Sequence, residues 1–245
     1  GMTGAAALAA EAAARAGAGL VKLSAPGLMV ACRPEIVQTL LPKEDWSAEV
    51  LAEAGRFGSL AIGPGLGRGQ GTLQSVRACV ASAPQPVVVD GDGLFALAHA
   101  DGGAAGVVAQ RSHPTVMTPH DGEFRELTGS LPGPDRLAAV RELAAHLGCT
   151  VLLKGPRTVV ASPRGTALVV DHGDERLATA GSGDVLTGII AAGLARGLDP
   201  LRSAAAAAWL HAEAGALLPR QAMLAGDLVS TLQMALAGVL SSQWK

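Results

Sequence analysis

The segment Ala178-Thr179-Ala180-Gly181-Ser182-Gly183-Asp184 runs straight into an apolar stretch over 185–195. Small residues entering a helix leave its first N–H groups unpaired and pointing outward, and Gly181, Ser182 and Gly183 leave room for phosphate oxygens to approach them. That is the composition of an anion hole. Asp184 is the only carboxylate in the segment, placed where it can take the proton of a hydroxyl lined up against the phosphate. An Asp at this place can also simply cap the helix, so the surroundings must decide.

Lys154-Gly155-Pro156-Arg157-Thr158 follows the apolar run Val151-Leu152-Leu153, at a strand's carboxyl end, where open α/β sheets place their ligands. Lys154 there can neutralise a phosphate; the alternative is a turn with exposed charges. Ile62-Gly63-Pro64-Gly65-Leu66-Gly67 ends another strand with three glycines in five positions, which suits close passage beside a bulky ligand or a plain loop. In Thr118-Pro119-His120-Asp121-Gly122-Glu123, His120 can donate to a ligand oxygen and Glu123 can cap or orient. Asp90 ends the run Val87-Val88-Val89 and suits a ligand contact or the organisation of a site, while Asp92 reads as a turn residue. His99, His146 and His211 read as local packing or solvent positions. Trp46, Trp209 and Trp244 show no cofactor spacing, and no metal-ligating set is read.

These segments need a scaffold. Short runs at 60–62, 87–89, 115–117 and 151–153 lack clean alternation, the pattern of strands buried on both faces of a mainly parallel sheet with helices on either side. Two further runs between Thr158 and Val170 flank Ser162-Pro163-Arg164-Gly165, the composition of a tight turn, and predict an antiparallel edge hairpin. Long helices are expected over 5–16, 135–147, 184–196 and 200–218, the last with Asp199 as N-cap and Pro200 at its first position. No repeat or rich linker marks a boundary, so 1–245 reads as one domain.

Composition sets the limits. A chain of 245 residues suits one α/β domain that buries about three quarters of its unfolded surface. With 49% hydrophobic but only 2% aromatic residues and no Tyr, the core must be built from Ala, Val and Leu. A net charge of −2 provides no footprint for nucleic acid. Cys32, Cys79 and Cys149 lie far apart and read as reduced thiols, which fits the cytoplasm. The Ala-rich start carries Glu11 and Arg15 and is read as a helix, not a signal segment. With no run of about 18 strongly apolar residues, no membrane span is expected.

Taken together, the motifs resemble the ADP/ATP-dependent NAD(P)H-hydrate dehydratase family of the ribokinase-like superfamily, nearly end to end. The family's opening helix is similar to Thr3-Gly4-Ala5-Ala6-Ala7-Leu8-Ala9-Ala10 and Arg15-Ala16-Gly17-Ala18-Gly19-Leu20-Val21, its glycine loop to Gly63-Pro64-Gly65-Leu66-Gly67, and its histidine loop to Thr118-Pro119-His120-Asp121-Gly122-Glu123. The resemblance implies a three-layer α/β/α sandwich. It also implies that Ala6, Gly65, His120 and Asp184 line hydrated NADH or NADPH, that Lys154, Gly155, Pro156, Arg157, Thr158, Gly181, Ser182 and Gly183 meet the nucleotide, and that Asp184 is the catalytic base. ADP or ATP with Mg²⁺ would supply the phosphoryl group, and the chain would be a homo-oligomer, a tetramer, fused to or working with an NAD(P)H-hydrate epimerase.

Two departures stand out. The family's strand and glycine turn before Thr3 are expected to be missing, and its Asn- and Gly-containing stretch before the anion hole is replaced by Asp171-His172-Gly173-Asp174-Glu175-Arg176. The alternatives are a ribokinase-like kinase of a thiazole alcohol or vitamin, which would use the same anion hole and aspartate, and a non-catalytic nucleotide-binding domain.

Overall fold

The computed structural model describes residues 2–242; Gly1 and residues 243–245, Trp244 among them, lie outside the described residues. Helix α1 (Thr3–Arg15) leads into a two-stranded parallel sheet of β1 (Lys22–Pro26) and β2 (Val37–Leu41), then α2 (Ser47–Ala54). The main sheet follows as β3 (Leu60–Ile62), α3 (Gln70–Ser82), β4 (Val87–Val89), α4 (Asp92–Ala98), α5 (Gly103–Val108), β5 (Thr115–Met117), α6 (Asp121–Thr128), α7 (Arg136–Leu147) and β6 (Thr150–Leu153). The hairpin β7 (Thr158–Ala161) and β8 (Ala167–Val170), then α8 (Ser182–Ala195), α9 (Pro200–Ala216) and α10 (Ala225–Ser242), complete the chain.

The six strands lie in chain order, β3 to β6 parallel and β6, β7 and β8 antiparallel. The expected edge hairpin is present, closed by Gly165 N–H donating to Ser162 O at 3.0 Å. The lack of alternation in the sequence has a direct cause. Val87 and Val89 pack with Leu73, Val76, Leu94 and Leu143 on one face, while Val88 packs with Val185, Ile189, Ile190 and Leu228 on the other. Both faces are covered by helices, giving three layers.

Alanine enrichment also has a packing reason. Helix α1 lies so close to α8 that a Cβ on Gly188 would stand 2.1 Å from Ala9 O, an approach that only small residues permit. The expected cap is in place, with Asp199 accepting from Arg202 N at 3.1 Å, and Asp135, read as the first residue of its helix, proves to be a cap as well, accepting from Ala138 N at 3.0 Å. Helix α8 begins two residues earlier than the pattern indicated. Strands β1 and β2 and helix α10 were not anticipated; the two strands are mostly half-exposed and so carry neither a continuous apolar run nor alternation. Cys79 and Cys149 are buried, which pushes both thiols up to about 12, while Cys32 is half-buried. An apolar groove of about 370 Å³ separates β1 from β3, with Ala6, Leu23, Trp46, Ile62 and Ala191 among its walls.

Candidate functional site

The charged cluster lies elsewhere, at the carboxyl ends of β4, β5 and β6, facing the start of α8. Lys154, the first residue after β6, turns inward, with Nζ 2.7 Å from Asp90 Oδ1 and 3.4 Å from Glu123 Oε2. Asp90, at the end of β4, is 3% exposed, and its second oxygen accepts from Thr187 Oγ1 of α8 at 2.7 Å. Burial alone would lower the Lys154 pKa; the two carboxylates more than offset this and hold it above its ordinary value.

Helix α8 starts after Gly181, whose φ of +89° is the left-handed region that favours glycine. No side chain caps this end, so the bland role for Asp184 is not the one it plays. The first N–H to find a carbonyl four residues back is that of Val185, bonded to Gly181 O at 3.2 Å; those of Gly183 and Asp184 precede the ladder and provide the anion-binding amides. The hole is smaller than the sequence indicated. Ser182 N–H is engaged by Thr179 O at 3.2 Å and its hydroxyl donates to Leu177 O at 2.6 Å. A Cβ on Gly183 would stand 3.4 Å from Lys154 Nζ and 3.9 Å from Asp90 Oδ2, so the ammonium and the open helix end do meet.

Asp184 is the titratable group this arrangement tunes. Burial first, and then the charges of Asp90 and Glu123, push its carboxyl up to about 6, against the opposing pull of Lys154. A carboxylate that takes up a proton near neutrality is suited to general-base work.

His120 caps α6. Its Nδ1 accepts from Gly122 N at 3.0 Å and Glu123 N at 3.2 Å, while Glu123 Oε2 accepts from His120 N at 2.8 Å, a reciprocal capping box. With Nδ1 accepting, Nε2, 3.6 Å from Glu123 Oε2, is the ring nitrogen that remains to donate to a ligand. Glu123 therefore both caps, as expected, and pairs with Lys154.

The remaining predicted positions divide. Gly155, Pro156 and Arg157 are exposed; a Cβ on Gly155 would meet the Arg136 guanidinium at 2.6 Å, and Arg157 pairs with Asp171 at 3.1 Å. Thr158 Oγ1 is 3.5 Å from Gly155 O. Ala6 faces the apolar groove. Gly65 lies against the start of α1, a Cβ there standing 2.1 Å from Met2 O. Asp92, expected in a turn, opens α4 and holds the glycine loop, accepting from Gly67 N at 2.7 Å and Arg68 Nε at 3.0 Å.

The segment 171–176 latches onto α9. His172 Nε2 lies 2.9 Å from Glu213 Oε2 and its ring stacks on Trp209, while Arg176 donates to Leu218 O at 2.6 Å. Thr187 was missed; it is a polar residue in an apolar helix, and that mismatch was the available signal. His211 takes the packing position expected of it. His211 is buried with Nε2 unpartnered, and burial pushes its pKa down to about 4, with the Ser182 backbone opposing.

Residues 1–236 match a protein family described as NAD(P)H-hydrate dehydratase. The chain is 40% identical over 254 residues to a bifunctional NAD(P)H-hydrate repair enzyme of Moorella thermoacetica, covering 96% of this chain and 47% of that enzyme; it thus spans about half the length of that relative. It is 36% identical to an ADP-dependent (S)-NAD(P)H-hydrate dehydratase of Neisseria meningitidis, covering 94% of this chain and 78% of that one. Among solved structures, the ADP/ATP-dependent NAD(P)H-hydrate dehydratase of Bacillus subtilis, co-crystallized with ATP/Mg²⁺, superposes with a TM-score of 0.80 at 29% identity, covering 97% of this chain and 85% of that one.

Proposed function

The chain belongs to the NAD(P)H-hydrate dehydratase family, and on that premise we propose that it uses ADP, or ATP, to dehydrate the S-form of hydrated NADH or NADPH, releasing AMP (or ADP), phosphate and the restored cofactor. The observation that carries this reading is Asp184: an uncapping carboxyl in the first turn of α8, held near 6, beside Lys154 and two free amides.

Hydroxide is a poor leaving group from the nicotinamide ring, and a phosphoryl group makes it a good one. In this reading Asp184 takes the proton of the substrate hydroxyl as it attacks the terminal phosphoryl, and the amides of Gly183 and Asp184 with Lys154 hold the charge that gathers there. Loss of the phosphate with its bonding electron pair, and of a proton from the adjacent ring carbon to solvent, then restores the ring double bond. Ala6, Gly65 and His120 form the dinucleotide side; Lys154, Gly155, Pro156, Arg157, Thr158, Gly181, Ser182 and Gly183 form the nucleotide side.

Mg²⁺ would supply further positive charge to the transferring group. Among the described residues no group of three or more His, Cys, Asp or Glu could hold a metal ion, so the donor set fits an ion carried in on the nucleotide's phosphates, the usual arrangement for Mg²⁺. The relatives named as bifunctional repair enzymes support a companion activity, which we assign to an epimerase. In the same reading residues 1–245 form one cytoplasmic domain that assembles as a homo-oligomer; no described helix is long and apolar enough to cross a membrane.

The test combines the protein with hydrated NADH, Mg²⁺ and either ADP or ATP, following NADH absorbance and phosphate release. Nucleotide-dependent return of absorbance is expected. A stable phosphorylated product would instead identify a kinase, and neither product a binding domain.

A further inference from the structure

Asp90 has no part in the steps above, yet it is the anchor of the cluster. One carboxylate oxygen accepts from Lys154 Nζ and the other from Thr187 Oγ1, each at 2.7 Å. Its backbone is equally held: Asp90 N donates to Ile62 O at 3.1 Å, Gly93 N donates to Asp90 O at 2.9 Å, and a Cβ on Gly63 would stand 1.8 Å from that same oxygen. A single buried side chain thus ties the ends of β4 and β6 to the second turn of α8.

We infer that Asp90 is a positioning residue for phosphoryl transfer: it fixes the Lys154 ammonium beside Gly183 at the open end of α8 and keeps it paired away from Asp184. The inference rests on the reading of Asp184 as the base. Lys154 pairs with Asp90 and Glu123 rather than with Asp184. After burial, the charges acting on Asp184 are Asp90 at the end of β4, Lys154 at the end of β6 and Glu123 on α6. His211 of α9, against the Ser182 backbone, is neutral, its pKa pushed down to about 4.

Asp90→Asn keeps the shape and an acceptor for Thr187 but removes the charge and leaves Lys154 paired with Glu123 alone, at 3.4 Å. Two effects follow. ADP binds at least as tightly, by a factor of about 1 to 5, because one negative charge is gone from where a phosphate arrives. Turnover nevertheless falls by about 10- to 100-fold, since Asp184, relieved of Asp90 and open to Lys154, becomes a weaker base. The acid limb of the kcat/KM profile, which reports the free enzyme, accordingly moves to lower pH than in the wild type. General damage would weaken ADP binding and turnover together at an unchanged pH profile, and that result overturns the inference.

The decisive measurement does not need turnover. In ligand-free protein carrying ¹³C-labelled aspartate, with the Asp184 signal assigned through Asp184→Asn, the carboxyl should titrate near 6 in the wild type and at a clearly lower pH in Asp90→Asn, still above the ordinary carboxylate range because burial, the larger cause, persists. An unchanged midpoint overturns the inference even if the dehydratase assay succeeds. If hydrated NADH is not turned over, the proposed function fails while this titration still decides the role of Asp90. Should Asp90→Asn not fold, Thr187→Val removes one anchor and should lower kcat by about 3- to 10-fold with ADP affinity retained, and Thr187→Ser should restore it. No loss in the Val variant, or no rescue by Ser, overturns the anchoring.

Discussion

In the loop after β3, glycine is required because the chain passes against itself: a Cβ on Gly63 would strike Asp90 O at 1.8 Å and one on Gly65 would strike Met2 O at 2.1 Å. At the start of α8, a Cβ on Gly183 would meet no backbone, only the flexible Lys154 side chain at 3.4 Å and Asp90 Oδ2 at 3.9 Å. The two segments read alike in sequence, both as places where a ligand's bulk needs room. Their structures separate them. The first braces the site by clamping β3 to β4 and to the start of α1, and the second presents an open helix end. Missing side chains show that something comes close, without showing whether it is ligand or protein.

The largest effect that would sharpen this contrast is in the open loop. Asp184→Asn should lower turnover of hydrated NADH by about 10³-fold while ADP affinity, measured by calorimetry, changes less than about twofold; unchanged turnover would remove Asp184 as the base and leave the loop without chemistry. Next comes the direct exchange. Gly63→Ala must fit a Cβ against backbone at a φ of +123°, and urea denaturation should show a loss of about 3 kcal/mol or more. Gly183→Ala should keep the melting temperature within about 2 °C and weaken ADP binding about tenfold. Equal destabilisation by the two substitutions would break the comparison.

His211 tests what supports the open loop from behind. The unfolded chain takes up this proton below about 6.5 and the folded chain only near 4, so stability is lost as the pH falls through that window. Asp184 acts in the opposite sense, because its folded-state pKa near 6 lies above the ordinary value and acidification favours the folded form. In an Asp184→Asn background, lowering the pH from about 7 to about 5 should therefore cost about 2 kcal/mol more with His211 present than in His211→Gln. Identical pH slopes in urea melts would show that the ring does not stay neutral in the fold. The smallest effect belongs to Arg157, whose pair with Asp171 is exposed on both sides; Arg157→Ala should change stability by less than about 0.5 kcal/mol.

Much of the architecture was legible because local cues and burial agreed. Strands covered on both faces read as unbroken apolar runs, and Asp199 and Pro200 announced their helix through chemistry that acts within three residues. Strands β1 and β2 left no such mark, being half-exposed, and α10 begins with Asp227 accepting from Leu224 N at 2.9 Å, a cap that lies inside the helix instead of ahead of it. At the site, Asp184, Lys154 and the glycines were readable as types at strand and helix ends.

What the sequence determined by itself was therefore the strand runs of the main sheet from β3 to β8, the helices α1, α7, α8 and α9, the carboxyl-end placement of Asp90, His120 and Lys154, and the small-residue entry to α8, since each depends on neighbours a few positions away. Only the tertiary structure decided that Asp90, 64 positions from Lys154 and 97 from Thr187, holds both. It also decided that Gly63 faces protein while Gly183 faces the site, and that the Asp184 carboxyl stands near 6. Those properties arise from burial and from charges brought together across β4, β6 and α8, and local sequence carries no record of such distances.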